Sequence, residues 1–202
     1  MVTTGFRNIY VAKYSNTGST VSYTGFQKLA RARGFSLDVG TSDDNSYYAD
    51  DTLAETESGA SFSSGTLELT VDGLTGEEEA LLFGIDTSSS TVTVDEEPVT
   101  VVNYGDGMAP PFMGVAGIKR YQLNGVVTYR PVILPKVKFT LGSDEAETGE
   151  ETINWQDQTL NANIMRDDTA NHNWKIIPKE NFSTLEKAIA FIEAILNPAP
   201  AG

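Results

Sequence analysis

The chain has 202 residues, no cysteine, one histidine and a formal net charge of −14. That length allows one large domain or two small ones, and about 70% of the unfolded surface can be buried without crosslinks. The lack of cysteine excludes a disulfide scaffold, a thiolate metal site and a cysteine nucleophile, and the acidity argues against tight binding to nucleic-acid backbones.

The charge is also unevenly placed. Residues 34–118 contain 17 Asp and Glu and no Lys or Arg, while the remainder holds all 14 basic residues and 11 acids, a net +3. Such polarity suits a molecule whose copies meet through unlike faces, and it also suits a solvated acidic surface that keeps the chain dispersed. "MVTTGFRNIYVAKY" at the N-terminus lacks the apolar core of a signal peptide, and no apolar run approaches the roughly 20 residues that span a bilayer. A soluble protein without a cleaved signal or a membrane partner is expected.

In chain order, "FRNIYVAKY" (6–14) reads as a strand rich in β-branched and aromatic residues. A long Ser/Thr/Gly/Asp-rich connection follows at 40–60. "TLELTV" (66–71) alternates, with Leu67, Leu69 and Val71 on one face, as a half-buried strand does. Thr75 and Glu78 have capping-box spacing before a short helix ended by Gly84. A second such connection lies at 86–91, and a strand is expected at 99–104. "VVTYRPVILP" (126–135) and "KVKFTL" (136–141) read as strands, with Pro131 and Pro135 confining the first to an edge or a bulge.

A third connection lies at 142–151, followed by a strand over 151–165. The apolar phase of that strand shifts between Trp155 and Leu160, which predicts a bulge near Gln158 and Thr159. Ser183 and Glu186 form a second capping box, before a helix carrying Leu185, Ala188, Ile189, Ile192, Ile195 and Leu196 at helical spacing up to Asn197-Pro198. The expected architecture is one mainly β domain over 1–197, a sandwich or barrel with a short flanking helix and a C-terminal helix, then a flexible tail at 198–202.

The residues show no catalytic hardware. His172 has no serine elbow and no second histidine at metal spacing. Phosphate-loop and dinucleotide motifs are absent. The acids of "NSYYADDTLAETESG" (45–59) lack calcium-loop order, although an irregular calcium site or a glycosidase-type carboxylate pair stays open on sequence. No enzyme activity and no cofactor are expected. Lys119, Arg120, Arg130, Lys136 and Lys138 read as a patch that faces protein.

Five segments carry a resemblance: "GFRNIYVAKY", "LARARGFSLDVGTSDDNSYYADDTLAETESG", "GTLELTVDGLTGEEEALLFG", "GIKRYQLNGVVTYRPVILPKVKF" and "EAETGEETINWQDQTLNANIMRDD". In this order, across roughly 1–196, the sequence resembles the major tail protein of long, non-contractile bacteriophage tails. The resemblance implies a sandwich-like β-barrel whose copies form hexameric rings, stacked into the tube through which the genome passes. It also implies assembly in the bacterial host cytoplasm, a final place in the virion tail, and tape-measure, terminator and tip proteins as partners. DNA would be in transit only. Some relatives append an immunoglobulin-like domain; none is expected after "NPAPAG".

Within that frame, residues 43–59 are expected to dock on a neighbouring subunit. Tyr47 and Tyr48 would be anchors, with Asp50, Asp51, Glu55 and Glu57 facing Arg31, Arg33, Lys119, Arg120, Lys136 and Lys138. Asn154, Gln156 and Gln158 are candidates for the channel face or, equally, an outer solvent face. The competing function is a monomeric carbohydrate- or cell-binding β-module.

Overall fold

A computed structural model describes residues 2–42, 45–49, 52–57, 61–85, 91–141 and 157–198, with the backbone path alone for 45–57. The chain runs β1 (Val2–Thr17), β2 (Thr20–Lys28), β3 (Ala32–Thr41), β4 (Asn45–Ala49), β5 (Thr52–Glu57) and β6 (Phe62–Val71). Then come α1 (Gly76–Phe83), β7 (Thr91–Val94), β8 (Glu97–Thr100), β9 (Phe112–Leu123), β10 (Val126–Thr140), β11 (Gln158–Met165) and α2 (Leu185–Leu196).

Seven strands form one antiparallel sheet in the order β2-β1-β9-β10-β11-β6-β3, while β4–β5 and β7–β8 are separate hairpins. Bulges bend the long strands: β1 slips register twice against β9, where Asn8 takes φ 54°, and β10 slips between Leu134 and Val137. The sheet curls until Phe6 of β1 meets Phe35 of β3 at 4.9 Å between ring centroids. It does not close. The mainly β expectation with two helices holds, but a barrel does not form, because β2 and β3 end the sheet unpaired with each other.

The concave face holds the main core, with Ile9, Val11, Leu67, Leu69, Met113 and Val137 at 0% exposure. On the convex face a second cluster packs Tyr10, Ala12, Ala116, Ile118 and Ile133 against α2, whose Ala188, Ile192 and Leu196 are fully buried at i, i+4, i+8 spacing. Gly114 lets α2 approach, since a Cβ there would lie 2.6 Å from Tyr23 Cε1 and 2.7 Å from Leu196 Cδ2.

Several local expectations are sharpened. Around Thr75 both capping-box bonds form, and Gly84 closes α1 at φ 64° with the Ala109 carbonyl packed where a side chain would be. The second helix starts one residue later than the Ser183 reading: Thr184 is the cap, accepting from Lys187 N at 3.4 Å. The lysine at the third helical position cannot return the bond that a glutamate there would make. The segments 126–135 and 136–141 form a single strand, bent where Pro135 sits.

Pro131 lies between two bridges that the returning chain makes to β10, Tyr129↔Phe182 and Ile133↔Ile176, where no N–H is needed. The expected bulge near Gln158 is not found. Pairing to β6 runs without slip from Gln158↔Val71 to Ile164↔Gly65, so Gln158 shares the face of Leu160 and Ala162. The expected strand at 99–104 is β8 through Thr100 only. The connection at 40–60 carries the β4–β5 hairpin. Residues 86–90, 142–156 and 199–202 lie outside the described residues.

Candidate functional site

The most distinctive surface is a bare half of the convex face. On β11, β6 and β3 the residues alternate, so Leu160, Leu69 and Phe35 point into the core and their neighbours point out. The outward set is in register: Asn161 beside Glu68 beside Ser36, and Asn163 beside Thr66 beside Asp38. All six are exposed and none is positively charged. One edge of this surface is β3, which among the described residues has only β6 as a partner. At the other end lies a groove of about 700 Å³ lined by Phe62, Ser63, Asn163 and Arg166.

The six basic residues expected to act together are divided. Arg31 pairs with Asp72 at 3.7 Å and Arg33 with Asp157 at 3.0 Å, so both are answered within the chain. Lys136 is committed too. Its Nζ lies 2.7 Å from Asp168 Oδ2, with the Tyr14 and Phe112 rings beneath it, and its side chain is 13% exposed. Lys138 shares the Phe112 ring. Arg120 donates to Thr4 Oγ1 at 3.0 Å. Lys119, seven residues along β9 from Phe112, is roughly 23 Å away at strand rise and lies over Phe35.

The Tyr14–Lys136–Asp168 contact is a fastening for the chain after β11. Tyr14 OH donates to Asp168 Oδ2 at 2.7 Å and accepts from Asp168 N at 2.9 Å. Burial, then the bond to Asp168, pushes the Tyr14 hydroxyl up to about 12. The Lys136 bond, then the Tyr14 bond, holds the Asp168 carboxyl below its usual range. Asp167 beside it is 4% exposed, its Oδ1 accepting from Thr169 N, Thr169 Oγ1 and Asn173 N. His172 sits in this turn at φ 49°, its Nδ1 3.2 Å from the Asp167 carbonyl. The histidine thus belongs to a satisfied turn. Among the described residues no group of three or more His, Cys, Asp or Glu is placed to hold a metal, and no helix is long and apolar enough to cross a membrane.

A cationic cluster that sequence spacing does not reveal forms elsewhere. Lys119 and Arg130 are direct cross-strand partners of β9 and β10, and alternation from Val115 and Leu134 puts both on the concave side, past the end of the core. The antiparallel Ile133↔Ile176 bridge sets Lys175 opposite Leu134, four residues along β10 from Arg130, where it lies 5.2 Å over its neighbour Trp174 and within electrostatic reach of both cations. Burial, then Lys119 and Arg130, pulls the Lys175 ammonium below its usual range. Arg130 Nη2 donates to Pro178 O at 3.3 Å, but its Nε is buried with no hydrogen-bond partner. None of the three makes an ion pair among the described residues. Lys175 escaped sequence reasoning because 45 residues separate it from Arg130 and only the bridge joins them.

Of the acidic stretch, Tyr47 pairs with Glu55 and Tyr48 with Leu53 across a register slip, and Asn45 with Glu57. Asp50 and Asp51 lie outside the described residues, as do Asn154 and Gln156. Gln158 is half-buried, its Oε1 accepting from Leu74 N at 3.0 Å, so it anchors the approach to α1. In comparisons with known proteins, no family model and no curated protein matches the chain.

Proposed function

We propose that this chain is a structural subunit that self-assembles into stacked, hexameric rings, the tail tube of a long, non-contractile phage tail. The observation that carries the reading is the exposed polar patch of Asn161, Asn163, Glu68, Thr66, Ser36 and Asp38, which carries no cation itself though Lys138 pairs with Asn163 at its border, set on an apolar core and edged by the open strand β3. An open edge offers unpaired backbone groups to another strand, and joining such edges around a ring removes them. A wall of Asn, Thr, Asp and Glu lets phosphates pass without the cationic contacts that anchor DNA. In this reading Asn161, Asn163, Glu68 and Asp38 line the channel, and residues 43–59, which include the β4–β5 hairpin, dock on a neighbour.

The chain then has no enzymatic step. Its partners are its own copies, a tape-measure protein, a terminator and a tip complex, with the genome in transit. It is assembled in the bacterial cytoplasm and ends in the virion tail. Negative-stain imaging of the purified protein over a concentration series tests this, and rings or tubes are expected. A chain that sediments as a monomer throughout overturns it. The groove beside Phe62 and Arg166 favours a second reading, a monomeric carbohydrate- or cell-binding module. That reading predicts a stable monomer whose melting temperature rises with added sugar.

A further inference from the structure

We propose that the cationic cluster of Lys119, Arg130 and Lys175 is the receptor for the β7–β8 hairpin of a second copy of this chain. The proposal rests on the self-assembly reading and names one contact within it. The hairpin is the donor half. All ten residues from Thr91 to Thr100 are exposed. Val92 pairs with Val99 and Val94 with Glu97, so three valines and one carboxylate share a face. The valines are 52%, 52% and 45% exposed. At the tip Asp95 and Glu96 take φ 50° and 68°, a tight turn that presents their carboxylates beside Glu97. A lone two-stranded hairpin is marginal in water, so an apolar face at its flank needs a cover.

The receptor half has the complementary chemistry. Lys119 and Arg130 stand side by side on neighbouring strands, where like charges oppose each other, and Lys175 adds a third. Lys119 lies over the half-buried Phe35 ring and Lys175 over the half-buried Trp174 ring, so each cation stands at the margin of the core. Within one chain the halves do not meet: Asp95, Glu96 and Glu97 make no ion pair among the described residues, and neither do the three cations. A donor on one copy that meets an acceptor on the next makes a heterologous contact, which propagates from copy to copy.

The test is a charge exchange on the intact chain, read by sedimentation and negative stain, with circular dichroism and thermal melting to report folding. Glu96→Lys with Glu97→Lys leaves the buried core untouched and is expected to cut the assembled fraction tenfold or more. Lys119→Glu with Lys175→Glu is expected to do the same, and Lys175→Gln alone to give a smaller loss should the reversed pair misfold. A chain carrying all four reversals should regain assembly to within about threefold of the wild type. Wild-type assembly by the folded hairpin variant, or failure of the folded four-fold variant to recover, overturns the contact while leaving self-assembly standing. A wild-type chain that never assembles overturns both.

Discussion

The two halves of the seven-stranded sheet share one core but have opposite outer faces. The middles of β9 (113–118) and β10 (131–135) are buried on both sides, because α2 covers their convex face. β6 from Gly65 and β11 alternate, with one side buried and the other more exposed. A strand covered on both faces reads as a continuous apolar run, and a strand covered on one face reads as an alternation. The difference separates the part of the sheet covered by its own helix from the part whose outer side chains are exposed.

The largest effect should come from undoing that covering. Ile192→Ala removes a fully buried side chain from the α2 interface and should cost about 2–5 kcal/mol in urea unfolding. Gly114→Val, which drives a side chain into Tyr23 and Leu196, should cost about 1–3 kcal/mol. A loss as small as a surface change in either variant would mean that α2 does not hold the covered half.

The fastening after β11 gives a pH signature. Asp168 titrates below its unfolded value of 3.8, so its stabilisation is fully present above that value and is lost as pH falls through the lowered folded value. Asp168→Asn should therefore melt below the wild type at neutral pH, with the gap closing in acid. An unchanged gap down to the acid limit would remove Asp168 from the fastening. The smallest effect on folding belongs to the bare half: Glu68→Lys should change stability by no more than about 0.5 kcal/mol, as expected for an exposed site. If that face lines a channel, assembled tubes of Glu68→Lys should retain added DNA at low salt and release it at high salt. Equal retention by wild type and variant would move the channel face elsewhere.

Much of this was legible from local pattern. The alternation of Leu67, Leu69 and Val71 reports a strand covered on one side, and all three prove fully buried. Thr75 and Glu78 report a helix start because the capping bonds lie within four residues. The second helix was placed well and its cap was not, since Ser183 and Thr184 are chemically equivalent and only backbone geometry decides between them. Of the candidate surface residues, the basic set carried no record of its internal debts. Asp72, Asp157 and Asp168 claim Arg31, Arg33 and Lys136 from 41, 124 and 32 residues away along the chain. The sequence reading set its polar face on Asn154, Gln156 and Gln158, whereas the outward row of Glu68 and Asn161 depends on register between strands distant in sequence.

The sequence alone determined what short-range chemistry determines: strand and helix periods, the cap of the first helix, the uneven split of charge, and which side chains face a core. The tertiary structure decided how far the sheet curls, which half α2 covers, and which cations remain unanswered. Those outcomes depend on bulges and on pairings between distant segments. That Lys175 comes within electrostatic reach of Arg130 depends on the returning chain bridging β10 at Ile133↔Ile176 and Tyr129↔Phe182, and nothing local to either residue encodes it.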